Sequence, residues 1–237
     1  MEKRAKFLIV VAGGQGSRMG SAVPKQFLEL GRKAVLRRTI ERFASAVPGI
    51  KVITVLPEEH IERWKDYCAS HDFLYPQTLV SGGMTRFHSV RNALAKVPDG
   101  AIVAVHDGVR PFVSGKLIIN MFSRMENCRA LIPVLPSTDT LKVLDRETAA
   151  DGTVTLVTAP GEEADRSRIF CAQTPQMFLS EDLRSAYSQA FDTAFTDDAS
   201  VALKKGIPLS YTEGERLNVK ITTPDDLKLA EAILNLL

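Results

Sequence analysis

Four short, near-continuous apolar runs constrain this chain more than anything else in it: FLIVVA (7–12), KVITVL (51–56), AIVAVH (101–106) and ALIPV (130–134). Strands that are apolar on both faces belong to a parallel sheet covered by helices above and below. Helical periods lie between them. In HSVRNALAKV the apolar Val90, Ala93, Leu94 and Val97 fall at i, i+3, i+4 and i+7, and Leu117, Ile118, Met121, Phe122 and Met125 repeat the arrangement after the third run. The alternation predicts an α/β fold: a three-layer sandwich around an open, mostly parallel sheet. With 237 residues, 45% of them hydrophobic, the chain can bury one large core, and 1–237 reads as a single domain.

The charge balance narrows the partners. Thirty Lys and Arg against 28 Asp and Glu leave a net charge of +2. That is too near neutrality for a nucleic-acid binder, whose basic footprint dominates its composition. Any basic patch is expected to be local and to serve a small anion. The start, MEKRAKFLIVVAGG, imitates a leader, yet its apolar run is shorter than the ~7–15 residues of a leader core. No apolar segment approaches the ~18–20 residues that span a bilayer. A cytoplasmic protein with no membrane partner is expected. Cys68, Cys128 and Cys171 are widely spaced and form no C-x-x-C pair, which predicts buried free thiols rather than a disulfide framework or zinc site.

The βα rhythm breaks between about 136 and 169. STDTLKVL, the polar turn ETAADG and TVTLV read as a hairpin with too few large apolar residues for a core of its own. Two readings stay open: an arm that packs on a second subunit, or a surface excursion.

The stretch VVAGGQGSRMGSAVPKQF (10–27) follows the first apolar run. A strand followed by a glycine-rich turn holds phosphates, because the backbone can approach and its N–H groups point at the anion. A dinucleotide loop starting at Gly14 and Gly16 would need glycine at 19, where Met19 stands. An ATPase loop would need Gly-Lys-Ser/Thr, but Gly20 is followed by Ser21 and Ala22. What remains are Arg18 and, after Pro24, Lys25. They are either solvated loop cations or partners of a triphosphate attacked at its α-phosphorus, and the glycines favour the second. Pro24 restricts the backbone just ahead of Lys25 and helps to aim it.

His106, Asp107 and Arg110 follow the third run, at the carboxyl end where open α/β sheets place ligands. Asp107 is alternatively a helix cap, and His106 reads as structural. Thr223, Pro224 and Asp226 have the pattern of a helix start. Thr196, Asp197 and Asp198 form another candidate cap, and Lys220 stands on what reads as a bare strand, NVKIT.

G-x-G-x-R-M followed by P-K-Q-F resembles the signature loop of nucleotidyltransferases that join a nucleoside triphosphate to a phosphorylated polyol or sugar. With VAVHDGVRP (103–111), CAQTPQMF (171–178) and NVKITTPDDL (218–227) in the same order, the chain from 7 to about 229 resembles the 2-C-methyl-D-erythritol 4-phosphate cytidylyltransferase family of the non-mevalonate isoprenoid pathway. The resemblance implies a Rossmann-like sheet with a projecting β-hairpin arm. The reaction it implies moves the cytidylyl group of CTP to the polyol phosphate with Mg2+, giving 4-diphosphocytidyl-2-C-methyl-D-erythritol and pyrophosphate.

Residue by residue, the resemblance makes Arg18, Lys25, Arg166 and Lys220 catalytic. The first two stabilise the pentacoordinate phosphorus and leaving group; the last two align the acceptor's phosphate. CTP is expected on Ala12, Gly13, Gly14, Gly16, Gly83, Ser89, Asp107 and Gly108, with Met84 standing where some relatives carry a polar residue. The acceptor is expected on Asp107, Arg110, Thr140, Arg166, Thr174, Thr196 and Lys220, and Asp107 makes an indirect contact to the metal. The 136–169 hairpin becomes a dimerisation arm whose Thr140 and Arg166 reach the partner's pocket. Arg166 is preferred to Arg168 because it lies eight residues before Thr174. A cytidylyltransferase for another acceptor, such as ribitol 5-phosphate, and a non-catalytic CTP-binding module are the alternatives.

Overall fold

The structure is a computed structural model and describes residues 4–14, 23–160 and 164–236. Gly16 and Arg18 lie outside the described residues. The chain opens with β1 (Lys6–Val11), a 3-10 turn at Lys25–Phe27, a small hairpin of β2 (Glu29–Leu30) and β3 (Lys33–Ala34), and α1 (Val35–Ala46). β4 (Lys51–Leu56), α2 (Ile61–Ser70), β5 (Gln77–Ser81), α3 (Arg86–Leu94), β6 (Ile102–Asp107), α4 (Gly115–Arg124) and β7 (Ala130–Pro136) follow in strict alternation. After the arm strands β8 (Leu144–Thr148) and β9 (Val154–Thr158) come β10 (Phe170–Ala172), β11 (Gln176–Leu179), α5 (Ser180–Tyr187), α6 (Asp198–Lys204), β12 (Ser210–Glu213) and α7 (Pro224–Leu236).

The main sheet is mostly parallel. β1 lies between β4 and β6, parallel to both, and β5 continues the parallel set beyond β4. β11 then inserts antiparallel between β6 and β7. β11 and β12 both pair with Leu131, and β10 and β12 both pair with Val134. A strand has two edges, so β10 and β11 share one edge of β7 end to end and β12 takes the other.

Period-two alternation sorts the strand side chains into two cores. Leu8, Val52, Ile102, Ala104, Leu131 and Met177 face α1, α2 and α4, where they meet Phe43, Trp64 and Phe122. Ile9, Ile53, Val103, Val105, Ile132 and Phe178 face α3, α5 and α6, where they meet Val90, Leu183 and Val201. Each Val, Leu, Ile, Phe or Met side chain among them contributes about 1.5–3 kcal/mol on burial, which is why the runs carry almost no polar residue. A third cluster seats α7, through Ala230 and Ile233, on Leu30, Val109 and Phe112. No helix among the described residues is long and apolar enough to cross a membrane.

The three-layer sandwich and its four expected strands are present, and the departures have local causes. The arm's first strand begins at Leu144, where the expected run STDTLKVL ends, because the turn that sets the register lies at 149–153. Gly152 takes φ +83° there, a conformation costly for any residue with a Cβ. Among the described residues β8 and β9 pair only with each other, and their register puts exposed Leu144, Val154 and Leu156 on one face. NVKIT is not a strand; its backbone is tied to the 107–110 turn instead. The thiols are less buried than expected: Cys68 and Cys128 are partly covered and Cys171 is exposed on β10. The Thr223–Asp226 helix start is present, with Asp226 Oδ2 accepting from the N–H groups of Thr222 and Thr223, both at 2.8 Å.

Candidate active site

Parallel β1, β5 and β6 end on the same side of the sheet, and a cleft of about 740 Å³ opens there. Gly13, Gly14, Lys25, Gly83, Arg86, Asp107 and Lys220 are among the residues lining it. A groove of about 950 Å³ beside α1 and α4 is larger but has neither glycine loops nor strand ends in its wall.

One wall is backbone. Ala12 extends β1 by donating its N–H to Val55 O, and Gly82 extends β5 by donating to Leu56 O. Buried Gln26 donates to Ala12 O at 2.9 Å, which fastens the Pro24–Lys25 turn beside Gly14. A Cβ on Gly14 would come 3.8 Å from Lys25 Cε, so lysine and glycine loop face the same space. Across the cleft, Ser89 Oγ accepts from Gly83 N and donates to Thr85 O, closing the SGGMT turn. A Cβ on Gly83 would lie 2.4 Å from His88 Cβ, so the turn is closed to any larger residue. Met84 is 91% exposed. Gly108 faces inward, packed against Ala12, Leu36 and Val10, and does not line the cleft.

The floor is Asp107. Lys220 Nζ lies 2.9 Å from its carboxylate, Arg110 Nε 3.2 Å and Arg86 Nη2 3.6 Å. Burial alone would raise the Asp107 carboxyl, but Arg86, Lys220 and Arg110 overcome it and hold the group well below the ordinary aspartate range. Lys220 is aimed by its neighbours: Ile221 N donates to Val109 O, and Arg110 Nη1 donates to Asn218 O. Behind the floor, Thr174 Oγ1 accepts from Asp107 N at 3.1 Å. His106 is fully buried, and burial lowers its imidazole to about 4. Its Nε2 faces the Arg110 carbonyl at 3.0 Å, which can only accept; Nε2 therefore carries the proton, and Nδ1 accepts from Thr174 Oγ1.

The fold thus brings together Ala12, Gly13, Gly14, Lys25, Gly83, Ser89, Asp107 and Lys220 in one cleft, with Arg110 and Thr174 directly behind. Arg166, Thr140 and Thr196 do not line it. Arg166 is exposed at the arm's base, donating to Ser137 O, and Thr140 is exposed on the arm. Exposed Thr196 precedes Asp197, which caps α6. Two participants escaped the sequence reading. Arg86 lines the cleft between Asp107 and Asp198, and Gln26 pins the lysine turn. Gln26 stands in the quoted P-K-Q-F; Arg86 gave no signal beyond following the glycine pair.

Comparison with known proteins agrees with this cleft. Residues 7–236 match the family described as 2-C-methyl-D-erythritol 4-phosphate cytidylyltransferase. Proteins of that name from Bacteroides thetaiotaomicron and Porphyromonas gingivalis (strain ATCC 33277) are 44% and 45% identical. The matches cover 96% and 98% of this chain and 98% and 99% of theirs. Among solved structures, the 4-diphosphocytidyl-2C-methyl-D-erythritol synthase of Anaerococcus prevotii superposes with a TM-score of 0.76 at 26% identity, over 99% of this chain and 100% of that one. The Thermus thermophilus cytidylyltransferase gives 0.71 at 29% identity, over 98% and 99%. A match that runs from the first strand into the last helix, with the glycine loop, the Asp107 turn and Lys220 gathered in one cleft, places this chain in the 2-C-methyl-D-erythritol 4-phosphate cytidylyltransferase family.

Proposed function

We propose that the protein transfers the cytidylyl group of CTP to 2-C-methyl-D-erythritol 4-phosphate. An oxygen of the acceptor's phosphate attacks the α-phosphorus in line; the new P–O bond forms as the bond to the β-phosphate's bridging oxygen breaks, and pyrophosphate leaves with the electron pair. The observation that carries this reading is Asp107, kept ionised beneath Arg86, Arg110 and Lys220, in one cleft with Gly13, Gly14 and Lys25. Phosphoryl chemistry needs positioned donors and cations rather than a protein nucleophile. Lys25, with Arg18, stabilises the charge on the reacting phosphorus and leaving group, while Lys220 aligns the attacking phosphate.

Magnesium fits as an ion carried on the triphosphate. Among the described residues no three His, Cys, Asp or Glu side chains converge, and the Asp107 carboxylate already has cationic partners. When bound, the ion neutralises phosphate charge, and Asp107 is the residue to hold it, through water.

The same reading makes the protein a homodimer. Leu144, Val154 and Leu156 share an exposed face of the arm, and a second subunit is the partner that would cover them. Arg166 and Thr140 would then complete the partner's acceptor pocket. Three free thiols suit the reducing cytoplasm, where CTP is also found. The test is pyrophosphate release with CTP and magnesium, comparing 2-C-methyl-D-erythritol 4-phosphate with ribitol 5-phosphate. Preference for the methylerythritol acceptor is expected; release with ribitol 5-phosphate alone would reassign the substrate, and silence with both would leave a binding module. Lys25→Ala should lower turnover on the order of 10² with the fold intact.

A further inference from the structure

Arg86 is the first residue of α3, directly after the cap Thr85. A helix amino terminus carries positive potential, so a guanidinium there is unfavourable unless anions answer it. Two do. Arg86 Nη1 lies 2.7 Å from Asp198 Oδ1 and Nη2 lies 3.6 Å from Asp107 Oδ1. Burial opposes the charge, but Asp198 and Asp107 overcome it and raise the guanidinium further above its ordinary range.

Asp198 suits the positive end of its own helix but is not its cap. Asp197 caps α6 in a reciprocal box with Ser200, and Gln176 clamps the same turn by donating to Asp197 Oδ2 and accepting from Ala199 N. The Asp198 carboxylate is completely buried, its Oδ1 accepts from both Arg86 and Tyr187 Oη, and its Oδ2 has no hydrogen-bond partner among the described residues. A buried pair with an unused oxygen is a weak source of stability, and apolar residues of similar volume would often serve as well. Its distinctive property is geometric. One planar guanidinium spans two carboxylates on different elements, which a lysine ammonium cannot match.

We propose that Arg86 is a positioning residue that couples the glycine-turn wall of the cleft and Asp107 to the neighbouring 196–198 turn, where the proposed function expects Thr196 to meet the acceptor. It fixes the 196–198 turn to Asp107 through Asp198, so that the helix opened by the glycine turn at 82–85 also sets the acceptor side. This coupling, in its effect on turnover, rests on the cytidylyl-transfer reading.

The test uses the full chain with Arg86→Lys, Asp198→Asn and the double variant, each checked for folding by circular dichroism. Acceptor kcat/KM is expected to fall about tenfold or more in each single variant, since a small misplacement of a reactant is enough. The dissociation constant for CTP alone should move less than about threefold, and the double variant should be no worse than the poorer single one, as for residues acting as a unit. Unchanged acceptor kcat/KM in Arg86→Lys, or losses that multiply in the double variant, would overturn the coupling. So would a loss of CTP affinity as large as the loss in turnover. If Asp198→Asn does not fold, Tyr187→Phe removes the other partner of Asp198 and should lower stability while leaving acceptor kcat/KM within about twofold, because the Arg86 contact remains. A loss matching that of Arg86→Lys would also refute the coupling. Hydrogen exchange at the Ala199 and Ser200 amides reads the link without any substrate. Faster exchange in Arg86→Lys together with no pyrophosphate release by the unmodified protein would sink the reaction and keep the coupling; unchanged exchange sinks the coupling itself.

Discussion

Asp107→Asn removes one negative charge from beneath three positive ones while keeping the side chain's shape and one acceptor oxygen. Deleting one partner of a buried ion pair costs about 3–5 kcal/mol. Lys220, closest at 2.9 Å, is 40% exposed, so water screens much of its share. Arg110 and Arg86 are 13% and 29% exposed and lose more. Because Asn still accepts a hydrogen bond, the lower end applies, about 3 kcal/mol at pH 7. At about 2–4 °C per kcal/mol for a chain of this length, the melting midpoint should fall by about 6–12 °C.

The pH dependence separates charge from packing. Folding depresses Asp107 below its ordinary value of 3.8, so its contribution is fully present above that value and is lost as pH falls through the folded-state value. Urea unfolding of both proteins should therefore show the full gap at pH 7 and a narrowing gap below about pH 4. Asp226, lowered to about 2 despite its burial by hydrogen bonds from Thr222 and Thr223, titrates in the same direction but is common to both proteins and cancels. A gap that stays constant down to pH 3 would refute the electrostatic account, and no gap at pH 7 would show that the carboxylate compensates nothing.

Gly83→Ala should weaken CTP binding about tenfold or more, measured by calorimetry, because the new methyl must displace His88 and open the SGGMT turn. Long-range proton–nitrogen spectra at pH 7 should show His106 neutral, with Nε2 protonated and Nδ1 bare; the opposite tautomer would contradict the Thr174–His106–Arg110 chain of hydrogen bonds. On the shared-site dimer proposed above, Lys25→Ala and Arg166→Ala proteins, each weak alone, should regain about a quarter of full activity when equal amounts are mixed and re-equilibrated, since half the dimers would be mixed with one intact site in each. No recovery after subunit exchange would place Arg166 in its own chain's site.

The parts of the fold legible in the sequence were those whose environment leaves a local trace. β1, β4, β6 and β7 show as apolar runs because both faces are covered, and the Thr223–Asp226 start shows because capping acts over three residues. β10 and β11 left little trace. Each is three or four residues long, they are separated by Pro175, and they exist because β7 and β6 offer them edges. Among site residues, the glycine loop and the Asp107 turn were readable because backbone approach and strand-end position have sequence signatures. Arg86 was not, since its decisive partner lies 112 residues away and a lone arginine opening a helix looks like a solvated charge. Gly108, expected at the nucleotide from the resemblance, has a packing reason of its own to be glycine, against Val10, Ala12 and Leu36.

The ordering of exposure around Asp107 suggests how such a site stays ready without substrate. Cations held close together repel, and without an anion among them their side chains would spread into solvent and lose the geometry that phosphate needs. The Asp107 carboxylate is the anion they share, with Asp198 holding Arg86 and Asn218 O holding Arg110 from behind, so little reorganisation is left for the moment of reaction. The three are not held equally. Arg110 is the most covered and is also tied to Asn218 O, Arg86 is shared with Asp198, and Lys220 is the most exposed. Lys220 is therefore the cation whose departure from Asp107 would cost least, while Arg110 and Arg86 remain to keep the carboxylate ionised. A single aspartate thus answers two well-covered arginines and one more exposed lysine, and its replacement should cost stability mainly through the arginines.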